Sequence, residues 1–248
     1  MARQRQFWTV PLIFLLLLAP GRSFVIPGHK EITSTALKRF GGMAEWEREQ
    51  ILRGSTDADL NEGGLPLTGG PYEKLFHFDN CMDYNGVVEN YRALSDLVDR
   101  NMAKKRHDPY ELGKILHAIE DFYSHSNYIV LYREAMRKER RMVGSIPLFE
   151  EVVVDSAEYK NFLNLLRSRL RTGRYPDHAK VADDDDHGSV LWPGKGLNKD
   201  TMLRDLYVDA RQTALEAAAW YLNLYNREPS TLAVWKRWKA TKFGADVR

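Results

Sequence analysis

Apolar residues recur three and four positions apart through most of the chain, which is the period of helices that bury one face. No stretch of the sequence alternates apolar and polar residues for long enough to predict a strand. Gly41 and Gly42 favour the end of one helix, and Pro109 favours the start of another. The pattern predicts an all-α, single-domain helical bundle, with helices over about 29–40, 43–53, 86–104, 109–132, 156–172, 199–226 and 230–240.

Two long intervals lack the helical period, residues 54–79 and 174–198. Loops of this length inside a compact domain usually carry function or are disordered. Because both intervals contain His and Asp, we expect two functional loops.

The first 23 residues have the pattern of a secretory signal peptide. Arg3 and Arg5 precede an apolar run, and the small residues Gly21 and Ser23 suit cleavage before Phe24. The apolar run is shorter than the roughly 20 residues that a membrane-spanning helix requires. The sequence therefore predicts a secreted protein, extracellular or periplasmic, with a mature domain over residues 24–248.

Charge and cysteine content narrow the classes of partner. The chain has 36 basic and 34 acidic residues, and three of the basic ones lie in the predicted leader, so the mature domain is nearly neutral. This balance gives no strong signal for nucleic-acid binding. Since Cys81 is the only cysteine, an internal disulfide is excluded. We expect a monomer stabilised by its core or by a metal.

The strongest chemical signal is His117, Asp121 and His125, spaced four residues apart in a predicted helix. Successive members of this stripe lie about 40° apart around the helix axis and about 6 Å along it. His117 and Asp121 can therefore share a metal ion, whereas His125 needs a second ion or a break in the helix. The alternative is a polar helix face with hydrogen-bonded histidines; the spacing favours the metal.

A second signal depends on processing. If Phe24 is the mature N-terminus, its free α-amine lies five residues before His29. An α-amine, with a pKa of about 7.7 to 8.0, loses its proton far more easily than lysine and can bind zinc together with its own carbonyl oxygen. Alternatively, the end is frayed and His29 only covers the first helix. The sequence leaves both interpretations open.

These motifs resemble the Het-C family, named for a fungal heterokaryon-incompatibility protein, and more remotely the zinc-dependent phospholipases C and single-strand-specific nucleases. Residues 117–127 carry most of the likeness, with residues 77–80 upstream and 196–200 downstream. In the superfamily the N-terminal residue binds metal, a Gly-Ser-Thr segment leads to a ligand Asp, and a His-Phe pair carries another ligand. The resemblance implies two or three zinc ions, held by Asp59, His77, His117 and Asp121 for the first, by the Phe24 amine and carbonyl, His29 and a bridging Asp121 for the second, and by His125 for a third.

The sequence departs from this superfamily at the third ion. The interval before His125 is two residues shorter than in the phospholipases and nucleases, and their late helical His-carboxylate pair has no counterpart here. Asp205 and Asp209 have the matching spacing, and His187, next to an acidic run, would supply an imidazole. The alternative for these three residues is a solvated surface.

The resemblance implies a zinc-dependent phosphoric ester hydrolase in which Asp59 and Asp121 are catalytic. A phosphodiester is the expected substrate, with phospholipid favoured over nucleic acid because the mature domain is nearly neutral. Trp235 and Trp238 in the last predicted helix either contact a membrane surface or, as we favour, pack on the core. The rival functions are a non-catalytic Het-C-like protein that uses metal for stability and binds lipid or protein, and a metal-free helical binding protein.

Overall fold

The computed structural model describes residues 27–61, 74–78, 82–104, 107–173, 199 and 206–241. In these ranges the chain is helical and contains isolated β-bridges but no strand, so the all-α prediction is confirmed. A 3-10 turn covers Lys74–Phe76. The helices are α1 (Pro27–Arg39), α2 (Glu45–Asn61), α3 (Tyr84–Ala103), α4 (Pro109–His125), α5 (Tyr128–Lys138), α6 (Phe149–Val154), α7 (Lys160–Arg169), α8 (Tyr207–Tyr225) and α9 (Pro229–Ala240).

One contiguous apolar core joins these helices, and aromatic rings fill its centre. Tyr91 stacks on Phe149 with ring centroids 4.7 Å apart, and Phe122 meets both rings edge to face. Trp238 of α9 closes the cluster and donates its indole N–H to Ser95. None of the helices in the described ranges has both the length and the apolar character needed to cross a bilayer.

Helices α2 and α4 approach each other closely at two glycines. A Cβ on Gly54 would lie 2.0 Å from the Tyr110 carbonyl oxygen, and one on Gly113 would lie 2.1 Å from the Ile51 carbonyl oxygen. Only glycine fits at these positions, because any side chain would clash with backbone. The predicted helix end at residue 53 is therefore wrong: Gly54 is a packing residue, and α2 continues to Asn61.

The predicted helix 109–132 is also wrong as a single element, because α4 ends at His125 and α5 starts at Tyr128. Asn127 lies at the break and replaces helical hydrogen bonds with its side chain, donating to the Arg169 carbonyl and accepting from the Arg171 amide. These bonds fasten the end of α4 to the segment after α7. The stripe that starts at His117 therefore stops with its helix.

The remaining differences concern short or shifted helices. Helix α6 was not predicted, because its six residues are too few to show a helical period. Helix α7 is shorter than the predicted 156–172. Helix α8 begins at Tyr207, and Lys199, where this helix was predicted to begin, is not helical.

We predict that Gly113→Ala destabilises the protein by about 1 to 3 kcal/mol, because the added methyl group overpacks the contact between α2 and α4. Helix propensity alone would favour alanine, so the expected sign is diagnostic. The matched control is Gly41→Ala, whose added Cβ meets nothing within 4 Å. Urea unfolding of both variants tests this, and equal unfolding free energies would contradict the packing argument.

A second prediction concerns Glu150, which is buried beside Tyr221 and accepts its phenolic hydrogen at 2.5 Å. Burial raises the pKa of Glu150 from 4.5 to about 7. The folded state then holds this proton more tightly than the unfolded state. The resulting stabilisation is complete below about pH 4.5 and is lost as the pH rises to about 7.

Glu150→Gln should therefore gain stability relative to the wild type between pH 4 and pH 8, by on the order of 3 kcal/mol. Urea unfolding across that range measures the difference at each pH. Glu49→Gln, at an exposed position of α2, serves as the control and should follow the wild-type pH dependence. A constant difference between wild type and Glu150→Gln would refute the assignment.

Candidate metal centre

Residues from α1, α2, α4 and the segment 74–78 meet in a buried polar cluster. All are at least nine-tenths buried, which is unusual for ionisable side chains unless they are paired or bind metal. They form two groups able to hold a metal ion, which share His117. The residues brought together are His29, Asp59, His77, His117 and Asp121.

The first group is Asp59, His77 and His117, and its spacing is close to that of a tetrahedral site, with Asp121 beside it. His77 Nδ1 lies 3.2 Å from Asp121 Oδ2 and 3.4 Å from His117 Nε2. His117 Nε2 lies 3.5 Å from Asp121 Oδ2 and 3.7 Å from Asp59 Oδ1. A tetrahedral ion with ligands at 2.0 to 2.2 Å would separate those ligands by about 3.3 to 3.6 Å. The 3.4 Å between His77 and His117 matches an edge of such a tetrahedron and the Asp59 oxygen is slightly farther from His117, so these three residues can act as ligands of one ion.

The hydrogen bonding of Asp59 supports the same conclusion. Its Oδ2 atom is buried and accepts no hydrogen bond from the residues that the structure describes. A buried carboxylate oxygen without a donor is destabilising, whereas a cation compensates it. The imidazole and carboxylate donors fit a divalent ion of the transition series or zinc. The group can therefore hold a metal ion.

The second group lies beside Asp121 Oδ1, the oxygen of Asp121 that does not face His77. His29 Nε2 is 3.1 Å from Asp121 Oδ1, and the His29 and His117 rings are 4.2 Å apart. Asp121 thus directs Oδ1 to one imidazole and Oδ2 to two others. This is the arrangement that a carboxylate bridging two ions requires.

A buried hydrogen-bond chain that the sequence analysis missed fixes the orientation of His29. Its Nδ1 donates to Glu120 Oε2 at 2.6 Å, and Thr33 donates its hydroxyl to Glu120 Oε1 at 2.8 Å. A carboxylate on the outer nitrogen of a ligand histidine sets its tautomer and direction, leaving Nε2 for the metal. The one sequence signal was a second carboxylate directly before Asp121, between Ile119 and Phe122.

Burial and neighbouring charges shift the pKa values of His29, Glu120 and Asp121. Burial alone would lower the pKa of His29, but hydrogen bonds and charge from Asp121 and Glu120 raise it well above its usual value. Burial raises the pKa of Glu120, and the His29 contact opposes this effect. Burial would also raise the pKa of Asp121, but the charges of His117 and His125 hold it well below its usual range. The imidazoles around Asp121 thus compensate its buried negative charge.

His77 owes its direction to the residue that follows it. Phe78 has φ +44°, in the left-handed region that non-glycine residues seldom adopt, at a cost of about 1 to 2 kcal/mol. The turn buries Phe78 completely against Tyr91 and Phe122. The aromatic core offsets the strain while the imidazole one residue earlier faces the metal ligands.

The end of α4 carries His125, which is buried. Its carbonyl accepts the Gly173 amide, and the preceding Ser124 carbonyl accepts both the amide and the ammonium of Lys199. Lys199 also donates to the Ser126 carbonyl and is itself buried. A cation at this position compensates the negative end of the helix. His125 is thus held at a fixed point beyond Asp121.

The other predicted site residues are not gathered into this cluster within the described ranges. Asp209 forms an ion pair with Arg133 at 2.5 Å, on the first turn of α8. Trp235 and Trp238 are buried, as expected if α9 packs on the core. Lying outside the described residues are the predicted leader 1–23, Phe24, Cys81, His187 and Asp205.

Comparison of the chain with protein-family models, curated proteins and solved structures gives no match. A metal centre is therefore inferred from the geometry of the described residues alone. Two ligand groups sharing His117, with Asp121 facing both, are the features that any proposed function must use.

We predict that Glu120→Gln lowers the affinity for the ion near His29 by about 10- to 100-fold, because an amide orients the imidazole less strongly than a carboxylate does. Competition with a chromophoric chelator measures this affinity. Glu111→Gln, on the same helix but bonded to Lys104 near the surface, is the matched control. Unchanged affinity in Glu120→Gln would show that Glu120 does not support a ligand.

Proposed function

We propose that this chain is a secreted zinc-dependent phosphodiester hydrolase, closer to the phospholipases C than to the nucleases. One observation carries the proposal: the buried carboxylate of Asp121 faces His29 through one oxygen and His77 and His117 through the other. Paired metal sites bridged in this way are typical of enzymes that hydrolyse phosphate esters.

The resemblance to the Het-C family and the zinc-dependent phospholipases supports the choice of metal and reaction. It implies five side-chain ligands for two ions, and these five residues lie together in the fold. The nitrogen and oxygen donors and their near-tetrahedral spacing are those of zinc sites. The near-neutral mature domain favours a lipid substrate over a nucleic acid.

Each side chain of the site would have a different role in hydrolysis. Two zinc ions held here would lower the pKa of a shared water and bind the non-bridging phosphate oxygens. Asp121 fixes the ligand groups relative to each other, and Glu120 keeps Nε2 of His29 directed at Asp121. Asp59 has one oxygen towards His117 and the other without a donor among the described residues, so it is placed to orient a water or take its proton.

The predicted cleavage completes this proposal. Helix α1 starts at Pro27, three residues after Phe24, and three residues span at most about 10 Å, which sets the reach of the Phe24 amine in the processed chain. His29 is in the first turn of that helix and fully buried in the cluster. Removal of the leader then supplies the amine and carbonyl ligands that complete the second ion's coordination.

The decisive experiment is Asp121→Asn in the processed protein. The amide lacks the charge and the second anionic oxygen, so we expect loss of bound zinc and a fall of at least about 100-fold in hydrolysis of bis(p-nitrophenyl) phosphate. Zinc is measured by elemental analysis and hydrolysis by absorbance. Asp96→Asn, exposed on α3, is the control and should keep both properties.

Retention of zinc and full activity by Asp121→Asn would overturn the proposal. N-terminal sequencing of the processed protein accompanies this experiment, because an uncleaved chain would leave the second ion incomplete.

One observation favours a second candidate, a Het-C-like protein that keeps metal for stability and acts by binding. Asp209, a predicted ligand of the third ion, is engaged by Arg133 instead. Metal stoichiometry separates the two candidates. Two or three ions with an open coordination position favour hydrolysis, whereas one ion with four protein ligands favours a structural role.

A further inference from the structure

Positive charge is concentrated in two segments that contribute no side chain to the two metal-ligand groups. Helix α5 with the following turn, residues 128–146, and helix α7 with its end, residues 160–172, contain nine basic and two acidic residues. The whole chain has a net charge of only +2. We call the exposed side of these two segments the basic face. Its basic residues are Arg133, Arg137, Lys138, Arg140, Arg141, Lys160, Arg167, Arg169 and Arg171.

The two segments of the basic face form one continuous surface. Arg169 of α7 binds both carboxylate oxygens of Glu134 on α5, at 2.7 and 2.8 Å. Asn161 of α7 donates to Glu139 at the end of α5. The two acidic residues of the face are thus occupied in joining its helices.

Part of the positive charge on this face is left uncompensated. Arg133, Lys138 and Arg141 have carboxylate partners. Arg137 and Arg140 are exposed and form no ion pair with a residue in the described parts of the chain. The face therefore attracts polyanions over roughly a Debye length, about 8 to 10 Å at physiological salt.

The turn after α5 adds an apolar tip to the basic face. Met142 is 93% exposed and Val143 47%, and both follow directly on Arg140 and Arg141. The turn is held in place, because the Arg141 amide donates to the Met136 carbonyl and Arg140 adopts the left-handed conformation. Met142 is thus exposed at the tip of an ordered, arginine-rich turn.

We propose that the basic face docks on the surface of an anionic phospholipid bilayer, with Met142 and Val143 entering the interface. Arginine and lysine gain from anionic headgroups, and the aliphatic tip gains from contact with acyl chains. Nucleic acid is the other polyanion to consider, but single strands gain most from exposed aromatic rings, and the exposed tip is aliphatic. This inference depends on surface charge and exposure and is independent of hydrolysis.

Docking would also bring lipid near one end of the metal-bearing helix. Arg171 pairs through its carbonyl with the Asn127 amide, and Thr172 forms a bridge with Ser126. Ser126 directly follows His125 at the end of α4. The basic face therefore reaches, at its Arg171 end, the helix terminus that carries His125.

The test is sedimentation of the processed protein, without the predicted leader, with vesicles of phosphatidylcholine and phosphatidylserine in a 4:1 ratio and with pure phosphatidylcholine vesicles as the uncharged comparison. We expect binding only to the anionic vesicles, weakened by salt. Arg137→Glu/Arg140→Glu should lower the partition coefficient by at least about tenfold. Met142→Ser should lower it by about fivefold, with little change in salt dependence.

The matched control is Lys38→Glu/Lys236→Glu, which makes the same change in net charge at exposed positions of α1 and α9. Normal vesicle binding by this control, together with loss in the Arg137 and Arg140 variant, supports the proposal. Equal losses would show that only net charge matters, and a larger loss in the control would place the contact elsewhere.

Two further measurements complete the test. Each variant is titrated with a single-stranded oligonucleotide, because binding that depends on Arg137 and Arg140 but occurs only with the oligonucleotide would overturn the lipid assignment. Hydrolysis of soluble bis(p-nitrophenyl) phosphate is assayed in parallel. Vesicle binding without hydrolysis would refute the proposed enzyme and leave the docking surface standing, whereas hydrolysis without vesicle binding would do the reverse.

Discussion

The burial of a single carboxylate constrains most of the structure around the site. Asp121 is completely buried, and an ionised carboxylate in that position is strongly destabilising unless other groups compensate its charge. The compensating imidazoles come from α1, from α4 itself and from the segment 74–78. Packing of these elements and compensation of the Asp121 charge therefore depend on each other. Any shift that separates the elements would leave the carboxylate uncompensated in an apolar interior.

The local part of this arrangement could be predicted from the sequence, and the tertiary part could not. Four-residue spacing places His117 and Asp121 on one helix face whatever the rest of the chain does. Glu120 was missed because its function depends on His29, 91 residues away, and nothing in its neighbourhood reveals that contact. The place of Asp59 was anticipated only through a family resemblance, since the helix that carries it was predicted to end earlier.

Helix class was predicted well and helix ends poorly, for reasons visible at two residues. Gly54 was placed in a loop because the interval after residue 53 lacks the helical period, but in the structure it permits contact between the backbones of two helices. Asn127 was placed inside a long helix, although its side chain bonds to the backbone after α7 and ends the helical path. Both outcomes are decided by a partner distant in sequence, which propensity does not include.

The end of α4 has a consequence for how the protein could change over evolution. Gly173 and Lys199 are both hydrogen-bonded to its last carbonyls, so the 25 residues between them start and finish at one fixed place. Doubling the length of such a connection costs only about 0.6 kcal/mol in closure entropy. Closure of this connection therefore sets little limit on its length, while its two ends stay bonded to the helix that carries the metal ligands.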